Sequence, residues 1–219
     1  MKLSDTTLAV LKNFASINQS IKISEGSVVS TISPLKTLLS KATVPDTFDK
    51  TFCLYDLNRF LSVLSLFKSP ELEFGDSAIT IKDGRQKVTY RYCDEKVIVA
   101  APANELNFPT PEVAFDLTQE ALNAAVKATG VLGLPEIAIV GENGKLYLRA
   151  VNSKDVGSDD FSEEIGETDQ VFTAVFKPEY LSKVLAGNYR VEVSSKKISR
   201  FVNDNITYWV ATESNSTFA

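Results

Sequence analysis

The sequence predicts an α+β chain made of two similar domains, each built from two αβ units, and three observations lead there. An amphipathic helix pattern comes round four times, each is followed by short strand-like runs with Gly, Asn or Asp turns, and one proline-punctuated stretch parts the second unit from the third. Aligned on Leu8, Leu61, Leu122 and Leu181, the helix patterns recur at intervals of 53, 61 and 59 residues, too long for a solenoid and about half a domain each. A chain of 219 residues holds one large domain or two ordinary ones, and four units favour two.

The first helix starts at Ser4 or Asp5, either of which can cap it, and carries Leu8, Leu11, Phe14 and Ile17 on one stripe. Asp5, Lys12, Asn13 and Ser16 fall on the other side. The run "IKI", a Glu25-Gly26 turn and "SVVSTI" read as a hairpin, Ser33 to Pro45 as a polar, turn-prone stretch, and Phe48 to Leu54 as a strand. Asp56 or Asn58 opens the second helix, whose inner face is Leu57, Phe60, Leu61 and Leu64 and whose polar side shows Asn58, Arg59 and Ser62, with Pro70 as its stop. The runs "ELEF", "AITIKDG" and "KVTYRY" then form a meander with turns at Gly75-Asp76 and Asp83-Gly84.

Residues 94–112 read as a connector, extended and then broken by prolines, between an N-terminal domain of residues 1–93 and a C-terminal domain of residues 113–219. Thr118 caps the third helix, with Leu122, Ala125, Val126 and Thr129 inward and Glu120, Asn123 and Lys127 outward. "EIAIV", Glu142-Asn143-Gly144 and "KLYLRAV" make a hairpin, and the acidic run from Lys154 to Asp169 reads as a solvated loop. "QVFTAVF" leads into a fourth helix from Pro178 to a stop at Gly187-Asn188, with Tyr180, Leu181, Val184 and Leu185 inward and Glu179, Ser182 and Lys183 outward. "YRVEVS", "ISRFV" and "ITYWVAT" complete the last meander, and "ESNSTFA" reads as a polar tail.

Composition narrows the function. With 44% hydrophobic and 23% charged residues the chain can bury a full core, and a net charge of −5 excludes nucleic-acid binding by overall attraction while leaving room for a local basic surface. Cys53 and Cys93 sit in apolar runs without metal-ligand spacing and read as buried thiols in a reducing compartment. The N-terminal residues carry no apolar leader and no window is long enough to span a bilayer, so the expectation is a cytosolic protein. The chain has no histidine, no phosphate-binding glycine loop and no nucleophile elbow, so no catalytic residue is assigned. Asp159-Asp160 and Glu163-Glu164 are the dense carboxylates, and a solvated acidic segment accounts for them better than a metal site, so no cofactor or metal is expected.

Lys12, Arg59, Lys127 and Lys183 each stand on the polar side of a different helix. One such residue merely solubilises a helix; as a set on one surface they make a sparse positive track that contacts phosphates without reading bases. A non-enzymatic structural or assembly protein of repeated αβ units is the alternative, weighed against the track because Glu120 and Glu179 partly offset Lys127 and Lys183.

The opening "MKLSDTTLAVLKNFASIN", the junction "YDLNRFLSVLSL" and the closing "GNYRVEV" and "YWVATESNST" resemble the sliding clamps of T-even-type bacteriophages. The resemblance implies the DNA clamp fold of proliferating cell nuclear antigen: two similar domains, each with two inner helices and outer antiparallel sheets. It also implies a homotrimeric ring on double-stranded DNA, a replicative DNA polymerase tethered to it, an ATP-dependent clamp loader that opens it, and a sigma-like factor for late transcription. All of these would act in the cytoplasm of the infected bacterial host. On this basis Lys12, Arg59, Lys127 and Lys183 are expected to face DNA, with Lys2 and Lys177 beside the helix starts as further candidates. Val97, Ile98 and Val99 in the connector, with Tyr208 and Trp209 in the last strand, are the expected partner-binding residues.

Overall fold

The structure, a computed structural model, describes residues 1–104, 106–155 and 157–219; Glu105 of the expected connector and Val156 of the acidic run lie outside the described residues. The chain forms two compact units, Met1–Glu105 and Leu106–Ala219.

In the first unit α1 (Asp5–Ile17) is followed by β1 (Ile21–Ile23), β2 (Gly26–Ile32), β3 (Leu38–Phe48) and β4 (Phe52–Leu54), then α2 (Leu57–Leu64), β5 (Glu71–Phe74), β6 (Ala78–Asp83) and β7 (Gln86–Arg91). The first four strands lie antiparallel in the order β4-β1-β2-β3, and the last three form a separate meander that leaves one side of β7 as an edge. Phe14, Ile21, Ile23, Leu38, Leu54, Leu57, Ile79 and Ile81 are fully buried between helices and sheets. Phe52 stacks between Phe74 (5.2 Å) and Tyr92 (5.1 Å), which closes the core beneath the end of the meander.

The second unit repeats the plan. After β8 (Val113–Leu117) come α3 (Gln119–Leu132), β9 (Glu136–Glu142), β10 (Lys145–Val151), β11 (Phe161–Glu167), β12 (Phe172–Phe176), α4 (Pro178–Leu181), β13 (Tyr189–Ser194), β14 (Ile198–Val202), β15 (Ile206–Ala211) and β16 (Thr217–Phe218). Its first four post-helix strands lie as β12-β9-β10-β11, the arrangement seen in the first unit, with β16 added beside β12 and β11 left as an edge; β15-β14-β13-β8 form the other layer. Helix, four strands, helix, three strands is thus the repeated element that the recurring leucines mark.

Five segments differ from the sequence reading. Ser33 to Pro45 is mostly the long strand β3, in which Leu38, Ser40, Ala42 and Val44 alternate inward; serine and threonine interleaved with lysine hide that alternation. Pro45 is tolerated because the β2–β3 register shifts between Gly26 and Val28, opposite this stretch. Helix α2 ends at Leu64, well short of Pro70, in turns closed by Leu66 N–H to Val63 O and Phe67 N–H to Leu64 O.

The acidic run holds β11, an edge strand with only Phe161 and Ile165 as large apolar residues, and Lys145 on the neighbouring strand draws in Glu164 (2.9 Å) and Glu167 (3.4 Å). Helix α4 is a single turn. Lys183 and Val184 already make tighter i→i−3 bonds to Tyr180 and Leu181, and Leu185 is held by two core phenols, its N–H donating to Tyr208 Oη (3.1 Å) and its O accepting from Tyr189 (2.7 Å). Those bonds hold Leu185 in a turn rather than a helix. The tail is docked as β16: Phe218 stacks on Phe172 (5.8 Å), and Ala219 N–H donates to Val171 O.

Cys53 is buried and Cys93 half-buried, both free; burial pushes both thiols up, so they stay protonated. No helix among the described residues is long and apolar enough to cross a membrane.

Candidate nucleic-acid interface

Each unit pairs its two helices, α1 against α2 and α3 against α4. Ser4 caps α1 by accepting the Thr7 N–H (3.2 Å), and Asp46 of β3 braces that cap by accepting both the backbone N–H and the hydroxyl of Ser4 (each 2.8 Å). Partial burial raises the Asp46 pKa, but the hydrogen bonds from Thr7 and Ser4 outweigh it and hold the carboxyl below the usual range. With Thr7, Val10, Leu11, Phe14, Ala15 and Ile17 turned inward, Lys12 is left exposed.

Asp56 caps α2 through the Arg59 N–H (2.8 Å), Asn58 donates across to Ala15 O of α1 (3.4 Å), and Arg59 is exposed. In α3, Thr118 takes the Ala121 N–H (3.2 Å) and Asn188 the Gln119 N–H (3.0 Å), while Gly133 ends the helix in the left-handed region at φ +65°. Lys127 stands exposed on that helix.

Among the described residues no carboxylate lies within ion-pair distance of Lys12, Arg59 or Lys127. Glu120 and Glu179, the acids that seemed to offset the basic set, sit in the first turns of α3 and α4, where the helix dipole favours negative charge. Lys127 is about two turns, roughly 10 Å, further along α3 than Glu120.

Lys183 departs from the expectation: it is half-buried and lies in the turn beyond α4 rather than on a helix face, because α4 stops at Leu181. Lys177 occupies the N-cap position of α4 with its ammonium 5.8 Å from the Tyr180 ring centre. Lys2 is exposed and engages Ser69 Oγ (2.8 Å) and Glu71 (3.7 Å).

A basic residue escaped the sequence reading. Lys2, Lys12 and Lys68 rim a cleft of about 300 Å³ floored by Leu8, Leu61 and Leu64. Lys68 is presented there because its own N–H and that of Ser69 both donate to Asp83 Oδ2 (3.0 and 2.9 Å), which fixes the turn after α2. It lies outside every helix period, so periodicity gave no sign of it.

The expected partner residues separate. Val97 is 59% and Val99 37% exposed, with Ile98 between them half-buried. Trp209 is half-buried. Tyr208 has no exposed surface and spends its hydroxyl on Leu185, so it belongs to the core of the second unit and offers a partner nothing. Among the described residues no cluster of three or more His, Cys, Asp or Glu side chains is placed to hold a metal.

Two family models match the chain in tandem, one described as DNA polymerase processivity factor over residues 2–100 and one as gp45 sliding clamp, C terminal, over residues 114–214. The sliding clamp of Vibrio phage KVP40 is 35% identical, covering 97% of this chain and 99% of its own length, and that of Escherichia phage RB69 is 33% identical, covering 99% of each. Among solved structures, A. fulgidus PCNA bound to the C-terminal region of FEN-1 has the same fold at a TM-score of 0.71 and 15% identity, over 96% of both chains. The DNA polymerase III beta subunit of Pseudomonas aeruginosa matches at 0.68 and 11% identity, over 96% of this chain and 63% of that one. With two duplicated αβ units, helices that leave Lys12, Arg59 and Lys127 exposed, and kinship over nearly the whole of each chain at this level, the chain belongs to the sliding-clamp family of DNA polymerase processivity factors.

Proposed function

We propose that the chain is one of three identical subunits of a ring that encircles double-stranded DNA and tethers the replicative DNA polymerase, without catalysing a reaction itself. The observation that carries this reading is that Lys12, Arg59 and Lys127 stand exposed on helices of both units, with no ion-pair partner among the described residues, in a chain whose net charge is −5. Lys12, Arg59, Lys127 and Lys183 are the DNA-facing residues, with Lys2, Lys68 and Lys177 beside them. A ring held by topology needs no tight phosphate grip, and a few exposed cations per subunit centre the duplex while the acidic remainder discourages binding elsewhere. Residues 1–93 and 113–219 act as the two clamp domains and residues 94–112 as their connector. Val97, Ile98, Val99 and Trp209 receive partner tails.

Ring closure is supported by two sheet edges of opposite character. On β7 the exposed Lys87 and Arg91 flank an open backbone edge, and on β11 Glu163, Glu164 and Glu167 flank another. Exposed apolar side chains are present in both units, Leu66 (69%) beyond α2 and Val131 (73%) and Leu132 (40%) at the end of α3, the helix that packs against β11. β7 of one copy joining β11 of the next, head to tail, covers both open edges. An ATP-dependent clamp loader opens such a ring, and a sigma-like factor uses it for late transcription in the cytoplasm of the infected bacterium.

The test is retention on DNA after loading by the cognate loader with ATP. Loaded protein persists on nicked circles and is lost from linear DNA through the ends; equal loss from both would sink the topological mechanism.

A further inference from the structure

Asn18 is a buried amide, 6% exposed, at the C-terminal end of α1. Its hydrogen-bonding capacity is fully used. Nδ2 donates to Ile32 O (2.8 Å) and to Val99 O (3.0 Å), while Oδ1 accepts from the Ser20 N–H (3.0 Å) and the Ser20 hydroxyl (3.2 Å). Two carbonyls on one side and two donors on the other fix the amide's orientation, and no other side chain of this shape supplies both functions. One residue therefore joins the end of α1, the approach to β1, the last residue of β2 and the connector.

Among the described residues the connector's other hydrogen-bonded anchors lie at its two ends, at the far end through Thr110 and Glu112 to Val193, Ser194 and Ser195. Cys93 N–H donates to Cys53 O (3.0 Å), and Glu95 takes the Lys22 ammonium on both carboxylate oxygens (2.8 Å each) at the start of a 3₁₀ turn, Glu95–Val97. From Val99 to Asn104, among the described residues, the Asn18–Val99 bond is the one hydrogen bond to the rest of the unit. Val97, exposed, closes the 3₁₀ turn, and Val99, also exposed, carries the last anchor on its own carbonyl.

We propose that Asn18 is the positioning residue of the partner site: it holds the connector in the conformation that presents Val97 and Val99, and it fastens that segment to the helix that bears Lys12. This inference rests on the reading of Val97–Val99 as the partner site. Losing both donors leaves two carbonyls facing an acceptor in a dry site, and the Val99 end, which has no other bond, releases first.

The experiment compares the full chain with Asn18→Asp, Asn18→Ser and the double variant Val97→Asp/Val99→Asp, by hydrogen exchange and by binding to the cognate DNA polymerase. Asn18→Asp is expected to speed exchange of residues 97–101 by about 10- to 100-fold and to weaken polymerase binding at least several-fold, with exchange in β9 and β10 unchanged. Asn18→Ser, which keeps one short donor, should fall between, and it carries the test if the Asp variant unfolds the first unit. Faster exchange spread evenly over the first unit in the Ser variant, or unchanged polymerase binding with a released connector, overturns the role of Asn18. Unchanged binding in the double valine variant instead removes the partner-site reading, so the two failures are told apart.

Discussion

Replacing Lys12, Arg59 and Lys127 together by glutamine separates electrostatic guidance from folding. All three are exposed, and among the described residues none has an ion-pair partner, so stability should move by no more than about 0.5 kcal/mol. Each unit charge 4 Å from a phosphate in water is worth about 1 kcal/mol before screening. In the proposed trimer three residues per subunit give about nine cations, and with about 0.9 counterions released per phosphate contact the salt slope of DNA association should fall by up to about 8 if every one engages. The assay is the loader-catalysed loading rate against potassium chloride, together with the lifetime of loaded protein on nicked circles. Loading should slow and lose salt dependence, whereas the lifetime on circles should hardly change, because topology rather than affinity retains the ring. An unchanged salt slope would refute the placement of these residues on the DNA side, and a shortened lifetime on circles would refute topological retention.

Asp46, depressed by its hydrogen bonds to the α1 cap, contributes stability that is fully present above the ordinary carboxylate pKa of about 3.9 and is lost as pH falls through its lower folded value. Asp46→Ala should cost about 1 kcal/mol at pH 7 in chemical denaturation and less at pH 3, below the ordinary carboxylate range, where the contribution linked to its lowered pKa is already being lost. Gly141→Ala should destabilise by about 1–3 kcal/mol, because a Cβ there would clash with Gln170 O and meet the Phe172 ring at 2.7 Å; thermal melting reads the loss, and exchange at residues 217–219 reads the displaced Phe172–Phe218 stack. Val131→Asp should reduce self-association in analytical ultracentrifugation without lowering the melting temperature, since Val131 is 73% exposed in the isolated chain.

Helices α1, α2 and α3 were legible because each turns an unbroken apolar stripe inward, and their caps Ser4, Asp56 and Thr118 stood one residue before the first helical position. Lys12, Arg59 and Lys127 could be placed on exposed faces for the same reason. Periodicity failed where side-chain polarity and burial part company. Ser40 is fully buried inside β3, and β11 can be acidic because an edge strand shows much of its surface to water. Helix α4 was overextended because nothing in the helix pattern shows that Tyr189, just past the glycine stop, and Tyr208, 23 residues further on from Leu185, will claim the backbone of Leu185. Lys68 was invisible because a hydrogen-bonded turn rather than a helix presents it, and Tyr208 because alternation along β15 cannot say which face is the deeper.

The two sheet edges also limit which symmetry the molecule can adopt. If two β7 edges met across a twofold axis, Lys87 and Arg91 would face copies of themselves, and two β11 edges would crowd Glu163, Glu164 and Glu167 together. Twofold pairing is therefore disfavoured at either edge, and the proposed head-to-tail joint repeats with the same polarity from copy to copy. The angle between successive copies alone then separates a closed ring from an endless filament, so a substitution that merely tilts this contact would change the kind of object formed before it changed the strength of the bond.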